Sequence, residues 1–150
     1  MRIFEVMTEG VRTVPATMPA GDAWGLMRRN RIHHLVVTDS SGVVGVLSDR
    51  DAGGPRGGGV RAGHMVAELM TPHAVTIDWE ETVRKAANLM QGRTIGCLPV
   101  TKQGRLVGIV TVSDLMQLLG RGVDRPGPRQ RPIATHRVAH RKVKSSNRSW

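Results

Sequence analysis

The feature that most constrains the fold is an internal repeat at an offset of 63 residues. At this offset, without a gap, residues of matching type recur over about 45 positions. The matched pairs include Met7/Met70, Thr13/Thr76, Ala23/Ala86, Leu26/Leu89, Met27/Met90, Leu35/Leu98, Val37/Val100 and Gly45/Gly108. A register held over this length predicts two copies of one supersecondary unit. We expect the two copies to pack face to face as a pseudo-two-fold pair.

Both copies end in the same short pattern. A β-branched, apolar run leads into a hydroxyl residue, Ser48 or Thr111, and a carboxylate lies three positions later, Asp51 or Asp114. The pattern is typical of a strand that runs into the start of a helix, where the hydroxyl and the carboxylate form a reciprocal capping box.

The other local patterns predict a mixed α/β (α+β) unit. Hairpin strands are predicted over residues 32–37, 43–47, 95–100 and 106–110, with a covering helix before each hairpin. After Asp51, five glycines and Pro55 predict a flexible linker in place of a closing helix, whereas the second copy closes with a helix over 112–119. The predicted division is unit 1 at 1–54, a Gly-rich linker at 55–63, unit 2 at 64–121 and a basic tail at 122–150.

Composition restricts the class of protein. A chain of 150 residues can bury one core shared by two units, each of which would be marginal alone. A single cysteine, Cys97, excludes an intramolecular disulfide and predicts a cytoplasmic protein. No apolar run is long enough to span a membrane, and the N-terminus lacks a signal-peptide pattern. We expect neither a metal site nor an enzyme, because the histidines are scattered and no catalytic constellation stands out.

The positive charge is concentrated at the C-terminus. Residues 125–150 contain 8 Lys and Arg and no acidic residue, whereas residues 1–124 contain 14 Lys and Arg and 12 acidic residues. Three interpretations of this tail stay open: a solvated disordered end, a contact with nucleic acid or another polyanion, and a protein-docking segment.

The order of the parts resembles the CBS domain. The resemblance is carried by the Met-Thr start, the Thr-apolar strand, the helix, the Ile-x-x-Leu-Pro-Val strand at 95–100 and the Gly-h-x-Ser/Thr-x-x-Asp close. Two such units in tandem, over roughly residues 3–120, look like a CBS pair, or Bateman module. The resemblance implies β-α-β-β-α units paired through their sheets, two clefts for adenosine-type ligands, and a homodimer.

The resemblance also implies which residues contact the ligand. In CBS domains the closing Asp commonly takes the ribose hydroxyls and the hydroxyl residue lies near the phosphate, which corresponds here to Asp51 and Asp114 with Ser48 and Thr111. The chemistry agrees, because a carboxylate accepts hydrogen bonds from a vicinal diol and free N–H groups at a helix start suit a phosphate. From spacing alone both pairs are better explained as helix caps that need no ligand, whereas the doubled motif on a CBS-like arrangement favours the ligand.

Further candidate contacts are less specific. Strand-edge backbone at Thr13-Val14 or Thr76-Ile77 is a candidate for the adenine edge, with Ile32 or Ile95 as an apolar wall. His33 and His34 are predicted on one strand, pointing to opposite faces, and either is a candidate for a phosphate contact. Arg50 is a further phosphate candidate, although a solvated arginine is the simpler interpretation. Cys97 is interpreted as a packing residue.

These observations predict a stand-alone regulatory module. It would bind AMP, ADP or ATP, or less favourably NAD or S-adenosylmethionine, and signal to an unknown effector protein or through a change of oligomer. The alternative is a nucleic-acid-associated dimer whose basic tail at 125–150 binds DNA or RNA. A purely structural dimer is the third hypothesis.

Overall fold

The structure is a computed structural model that describes residues 1–121. The predicted disordered tail, with its proposed polyanion contact, lies outside the described residues. The described chain forms two four-stranded mixed sheets and five α-helices. The predicted α/β class is therefore confirmed.

Each sheet combines a parallel pair, an antiparallel hairpin and one short edge strand. The first sheet has the order β2 (Thr13–Pro15), β3 (His34–Asp39), β4 (Gly42–Ser48) and β5 (Thr71–Pro72). The second sheet has the order β6 (Ile77–Asp78), β7 (Cys97–Lys102), β8 (Arg105–Thr111) and β1 (Thr8–Glu9). β2 and β3 pair in parallel, as do β6 and β7, and the other neighbours are antiparallel.

The two helices that precede the hairpins follow the repeat as well, whereas in the described chain the helix after the second hairpin has no counterpart after the first. The α-helices are α1 (Ala20–Asn30), α2 (Gly58–Arg61), α3 (Val66–Leu69), α4 (Val83–Arg93) and α5 (Val112–Arg121), and a 3₁₀ helix spans Ile3–Glu5. α1 and α4 end at left-handed residues, Arg31 with φ 52° and Thr94 with φ 54°. Because the chain must leave these helix ends first, both hairpins begin two residues later than predicted. None of the described helices is long and apolar enough to cross a membrane.

Side chains alternate along the central strands between a helix-side core and a layer between the sheets. In β3, Leu35 and Val37 pack in the core beneath α1, and Val36 points the other way. Val36 belongs to a buried cluster that includes Cys97 and Ile109 from the second sheet. The two units therefore pack sheet against sheet, as predicted.

The short edge strands are exchanged between the halves of the sequence. β1 pairs with β8 of the second half, and β5 pairs with β4 of the first half. The N-terminal turn also lies against the second half, since the N–H groups of Ile3 and Phe4 donate to the carbonyls of Glu81 and Trp79 at 2.9 and 3.0 Å. Each sheet therefore contains a strand from both halves of the sequence. The division of the chain into units at 1–54 and 64–121 stays a prediction.

Two matched glycines allow this exchange. A Cβ at Gly45 would lie 2.8 Å from the carbonyl oxygen of Thr71, and one at Gly108 would lie 2.7 Å from that of Thr8. Real Cβ atoms essentially never come so close to backbone. The Gly45/Gly108 match in the repeat therefore has a packing cause, which is the close approach of an exchanged strand.

We predict that Gly45→Ala and Gly108→Ala will each lower the free energy of unfolding by about 1–3 kcal/mol, because the added methyl overlaps a strand carbonyl. The measurement is the urea midpoint at an unchanged m-value. Gly21→Ala in α1 is the matched control, since nothing lies within 4 Å of its added Cβ. The control should be neutral or more stable by up to about 1 kcal/mol. A midpoint equal to that of the wild type for both strand variants would contradict the close approach.

Candidate functional site

A central cleft of about 420 Å³ opens between the two halves. It is lined by residues 48–51, 71, 73–75, 94–97 and 111–113, together with His34 and Val46. Residues 48–51 lie at the end of β4, and residues 111–113 lie at the equivalent end of β8. The volume is in the range of small-molecule sites. This cleft thus receives residues of the closing motif of both units, Ser48 and Asp51 from the first and Thr111 from the second. The expectation of one cleft for each unit stays a prediction.

The structure brings six of the predicted site residues together in the central cleft. They are His34, Ser48, Arg50, Asp51, Ile95 and Thr111. The others are not among its lining residues: Thr13, Val14, Ile32, His33, Thr76, Ile77 and Asp114. The side chains of Val14 and Ile77 belong to the helix-side cores of the two halves.

Three of the residues outside the cleft lie at equivalent positions of the repeat. At the offset of 63, Ile32 corresponds to Ile95 and Asp114 to Asp51, both of which line the cleft. His33 corresponds in the same way to Gly96. The predicted residues therefore fall into two groups. One group lines the central cleft, and the other includes residues that the repeat places at the equivalent positions of the opposite half.

The two hydroxyl–carboxylate pairs form the reciprocal hydrogen bonds of a capping box. The N–H of Asp51 donates to Ser48 Oγ at 2.9 Å, and the N–H of Ser48 donates to Asp51 Oδ2 at 3.1 Å. The corresponding distances are 3.2 Å to Thr111 Oγ1 and 2.9 Å to Asp114 Oδ2. The cap interpretation is thus realised in both halves. It occupies one oxygen of the Asp51 carboxylate and leaves Oδ1 without a hydrogen bond to the described residues.

His33 lies at the rim of the cleft and not on a strand, which corrects the prediction that it shares a strand with His34. β3 begins only at His34, because the helix end at Arg31 delays it. His33 Nδ1 lies 2.8 Å from Asp49 Oδ2, and its side chain is 74% exposed. His33 therefore contacts the cleft through Asp49, which lines it.

His34 extends into the cleft between charged groups of both halves. Burial lowers the pKa of His34 below its ordinary value. Asp49, Asp51 and Asp114 act in the opposite direction, whereas His33 adds to the lowering. Burial has the largest effect, so a neutral imidazole is favoured.

Cys97 occupies the position of the repeat that corresponds to His34. Burial, together with the nearby charge of Asp51, raises the pKa of the Cys97 thiol to about 12. A thiol with this pKa is protonated at neutral pH and is a poor nucleophile. The interpretation of Cys97 as a packing residue agrees with its burial in the layer between the sheets.

Sequence reasoning missed the segment after the second Met-Thr start. Thr71, His73, Ala74 and Val75 line the cleft, as do Asp49 and Thr94. His73 has a φ of 54°, which for a residue other than glycine is uncommon and is found mostly in turns. The repeat marked Thr71 as a match of Thr8, but the course of the backbone after it depends on the exchange of β5 and leaves no local pattern.

Comparison with known proteins identifies a family. The model of the CBS domain matches residues 3–52 and 66–121, which is more than half of the chain. A CBS domain-containing protein of Dictyostelium discoideum is 34% identical over 77% of this chain and 88% of its own length. The chain spans only 32% and 24% of two other relatives, an uncharacterized protein of Methanocaldococcus jannaschii and a homoserine O-acetyltransferase of Methanohalobium evestigatum.

Solved structures share the fold. The CBS domain pair of protein MJ0100, in complex with 5'-methylthioadenosine and S-adenosyl-L-methionine, has a TM-score of 0.72 at 24% identity, covering 81% of this chain and 97% of that one. The CBS-pair protein CBSX2 from Arabidopsis thaliana, in complex with AMP, has a TM-score of 0.68 at 25% identity, covering 83% and 98%.

The position of His34 predicts a pH-dependent stability. Because its folded-state pKa lies below the unfolded value of about 6.5, the unfolded state binds the proton first as the pH falls. The contribution of neutral His34 is fully present above about pH 6.5 and is lost below it. Urea unfolding should therefore show a steeper loss of stability from about pH 7.5 to about pH 5.5 in the wild type than in His34→Gln. His64→Gln, at an exposed histidine, should retain the wild-type slope, and equal slopes in the wild type and His34→Gln would contradict the prediction.

Proposed function

Since the chain belongs to the CBS domain family, we propose that it is a regulatory CBS pair whose central cleft binds an adenosine-type ligand. AMP is the first candidate, because CBSX2, a structural neighbour with the same domain pair, has been solved in complex with AMP. ADP, ATP, NAD and S-adenosylmethionine are the alternatives that the test must separate.

The observation that carries the proposal is the Asp51 carboxylate in the cleft. Its Oδ2 accepts a hydrogen bond from the N–H of Ser48 at 3.1 Å, which holds one oxygen of the carboxylate in place. Its Oδ1 has no hydrogen bond to the described residues and is available as an acceptor. A ribose offers two adjacent hydroxyl donors, and an ionised carboxylate is the side chain that can accept from both.

The rest of the lining suits the other parts of such a ligand. Val46, Val75 and Ile95 supply apolar surface for a base, and the hydroxyls of Thr71 and Thr111 supply hydrogen bonds. Arg50 contributes a positive charge for a phosphate. The combination of apolar surface with a few convergent polar groups is typical of small-molecule sites.

We infer that the output is regulatory. The homoserine O-acetyltransferase relative is a longer protein, of which this chain spans 24%, so the acetyltransferase activity does not carry over to this chain. The protonated Cys97 thiol also lacks the lowered pKa of a catalytic cysteine. The bound state would be passed to an effector protein or to the association of copies.

The surface of α5 supports self-association. Met116 and Leu119 are 61% and 63% exposed and lie three residues apart on one helix face. The opposite face packs inward through Leu118, which is 3% exposed. Beside this face, α4 and α5 form an apolar groove that includes Val83 and Ala87. A two-fold contact brings the same patch of both copies together, so we propose that the apolar face of α5 is covered by that of a second copy.

The nucleotide proposal is tested by thermal unfolding with AMP, ADP, ATP, NAD and S-adenosylmethionine. A ligand at 100 times its Kd should add about 2.7 kcal/mol, or roughly 5–10 °C in Tm. Asp51→Asn keeps an acceptor for the Ser48 N–H but loses the charged second oxygen, so it should retain stability and lose the ligand shift. Asp39→Asn is the matched control for the same chemical change, because the Asp39 carboxylate also accepts from a backbone N–H, that of Ser41 at 2.7 Å, and Asp39 is not a lining residue of the cleft. If none of the five compounds shifts the Tm of the wild type, Ser48 and Asp51 act as a cap alone.

The dimer proposal is tested by sedimentation velocity over a concentration series. The double variant Met116→Glu/Leu119→Glu should weaken self-association at least tenfold, because charge is placed in the apolar contact. Met65→Glu changes a methionine that is 43% exposed on another surface and should leave association unchanged. A wild type that sediments as a monomer throughout would refute the dimer.

A further inference from the structure

The two halves differ most in the segment after each closing motif. In the second half, α5 begins directly after Thr111. In the first half, residues 49–57, which we name the Asp51 loop, form consecutive turns, and α2 begins only at Gly58. Gly53 and Gly54 have φ values of 94° and 71°, a conformation that costs any other residue strain. Behind its carboxylate the loop has one helix-like hydrogen bond, from the N–H of Ala52 to the carbonyl of Ser48, and then irregular turn bonds from Gly53 to Arg50 and from Gly54 to Asp49 in place of a continuing helix.

Arg61, the last residue of α2, reaches back to this loop. Its Nη1 donates to the carbonyl of Ala52 at 2.8 Å and to that of Gly54 at 2.7 Å. Its guanidinium carbon also lies 4.2 Å from the centroid of the Trp24 ring on α1. Hydrogen bonds from a charged donor are stronger than neutral ones, and stacking on an aromatic ring fixes the guanidinium plane. One side chain thus ties the Asp51 loop to α1.

The contact at Ala52 links Arg61 to the cleft. Ala52 directly follows Asp51 in the chain, and it is 0% exposed in the core beneath α1. Its N–H donates to the carbonyl of Ser48 at 3.1 Å, and its own carbonyl accepts from Arg61. Asp51 is therefore held on one side by the box with Ser48 and on the other side by a residue that Arg61 fixes.

We propose that Arg61 is the positioning residue for Asp51 in the central cleft. It takes the place of the missing closing helix and keeps the Asp51 carboxylate in its binding orientation without touching the ligand. Arg61 is not a lining residue of the central cleft; it lines a separate, shallow cavity beside α1 and α2. As far as ligand affinity is concerned, this inference rests on the proposed function.

The loop-holding step is tested without ligand by amide hydrogen exchange on the full chain. Arg61→Ala should accelerate exchange in residues 52–54 roughly tenfold or more, because two charge-assisted hydrogen bonds are lost. Arg28→Ala is the matched control. Its guanidinium carbon lies 5.6 Å from the same Trp24 ring, but in the described part of the chain it makes no hydrogen bond to the loop. Wild-type exchange in Arg61→Ala would overturn the proposal.

The affinity step is tested by calorimetric titration with AMP. Arg61→Ala should weaken binding about tenfold, and Arg61→Ala/Asp51→Asn should bind no more weakly than Asp51→Asn alone. Arg61→Lys keeps the charge but not the planar fork, and should recover part of the affinity. Combination with Asp39→Asn, the control outside the lining of the cleft, should bind AMP as Arg61→Ala alone does.

The outcomes separate the two proposals. If the effects of Arg61→Ala and Asp51→Asn multiply in the double variant, Arg61 acts elsewhere and its positioning role is overturned. A wild type that binds none of the five adenosyl compounds overturns the proposed function, and the affinity effect with it, whatever the exchange rates of the loop.

Discussion

The structure depends on one constraint, which is that neither half of the sequence completes its own sheet. The edge strand beside β4 is β5, from the second half, and the edge strand beside β8 is β1, from the first half. A separated half would expose the unpaired edge of its hairpin together with one face of the layer between the sheets. The burial of that layer needs both sheets as well. Two units that would each be marginal alone are in this way made into one folding unit.

The same constraint determines where the cleft lies. Because the sheets pack face to face and exchange their edges, the closing motifs of the two halves reach the same seam. A molecule bound in the central cleft would lie between Ser48 and Asp51 of the first half and Ile95 and Thr111 of the second. Its binding energy is fully available only when both halves are in this arrangement, so a ligand there favours it over any other. Under the proposed function, this preference for one arrangement of the two halves is the signal that ligand binding would produce.

The parts of the fold that could be predicted are those that a local sequence pattern specifies and that occur in both copies of the repeat. The offset of 63 matched Leu35 with Leu98 and Gly45 with Gly108, and the structure places these pairs at equivalent positions. The starts of the hairpins were wrong by two residues, because the left-handed ends at Arg31 and Thr94 depend on backbone conformation that neither side chain signals. The exchange of edge strands could not be predicted for a related reason. A strand of two residues such as β5 carries no pattern that selects its partner, so tertiary packing selects it, and the cleft contacts of the segment after β5 were missed with it.

The capping box was predicted in both halves and is present in both, because its hydrogen bonds are local. The two boxes nevertheless lie in different structures, one at the start of a helix and the other in a loop. Asp114 lies in the first turn of α5, and Leu118 of the same helix is buried in the core of the second half. The Asp114 carboxylate therefore leaves its position only when a packed helix unfolds. Asp51 lies on a loop held by its box, by the methyl of Ala52 and by Arg61. Loops held by a few side-chain contacts open at lower free energy than the cores beside them. Identical motifs in a repeat therefore need not have equal supports: both boxes border the central cleft, but Ser48 and Asp51 do so at the start of a loop and Thr111 at the start of a packed helix.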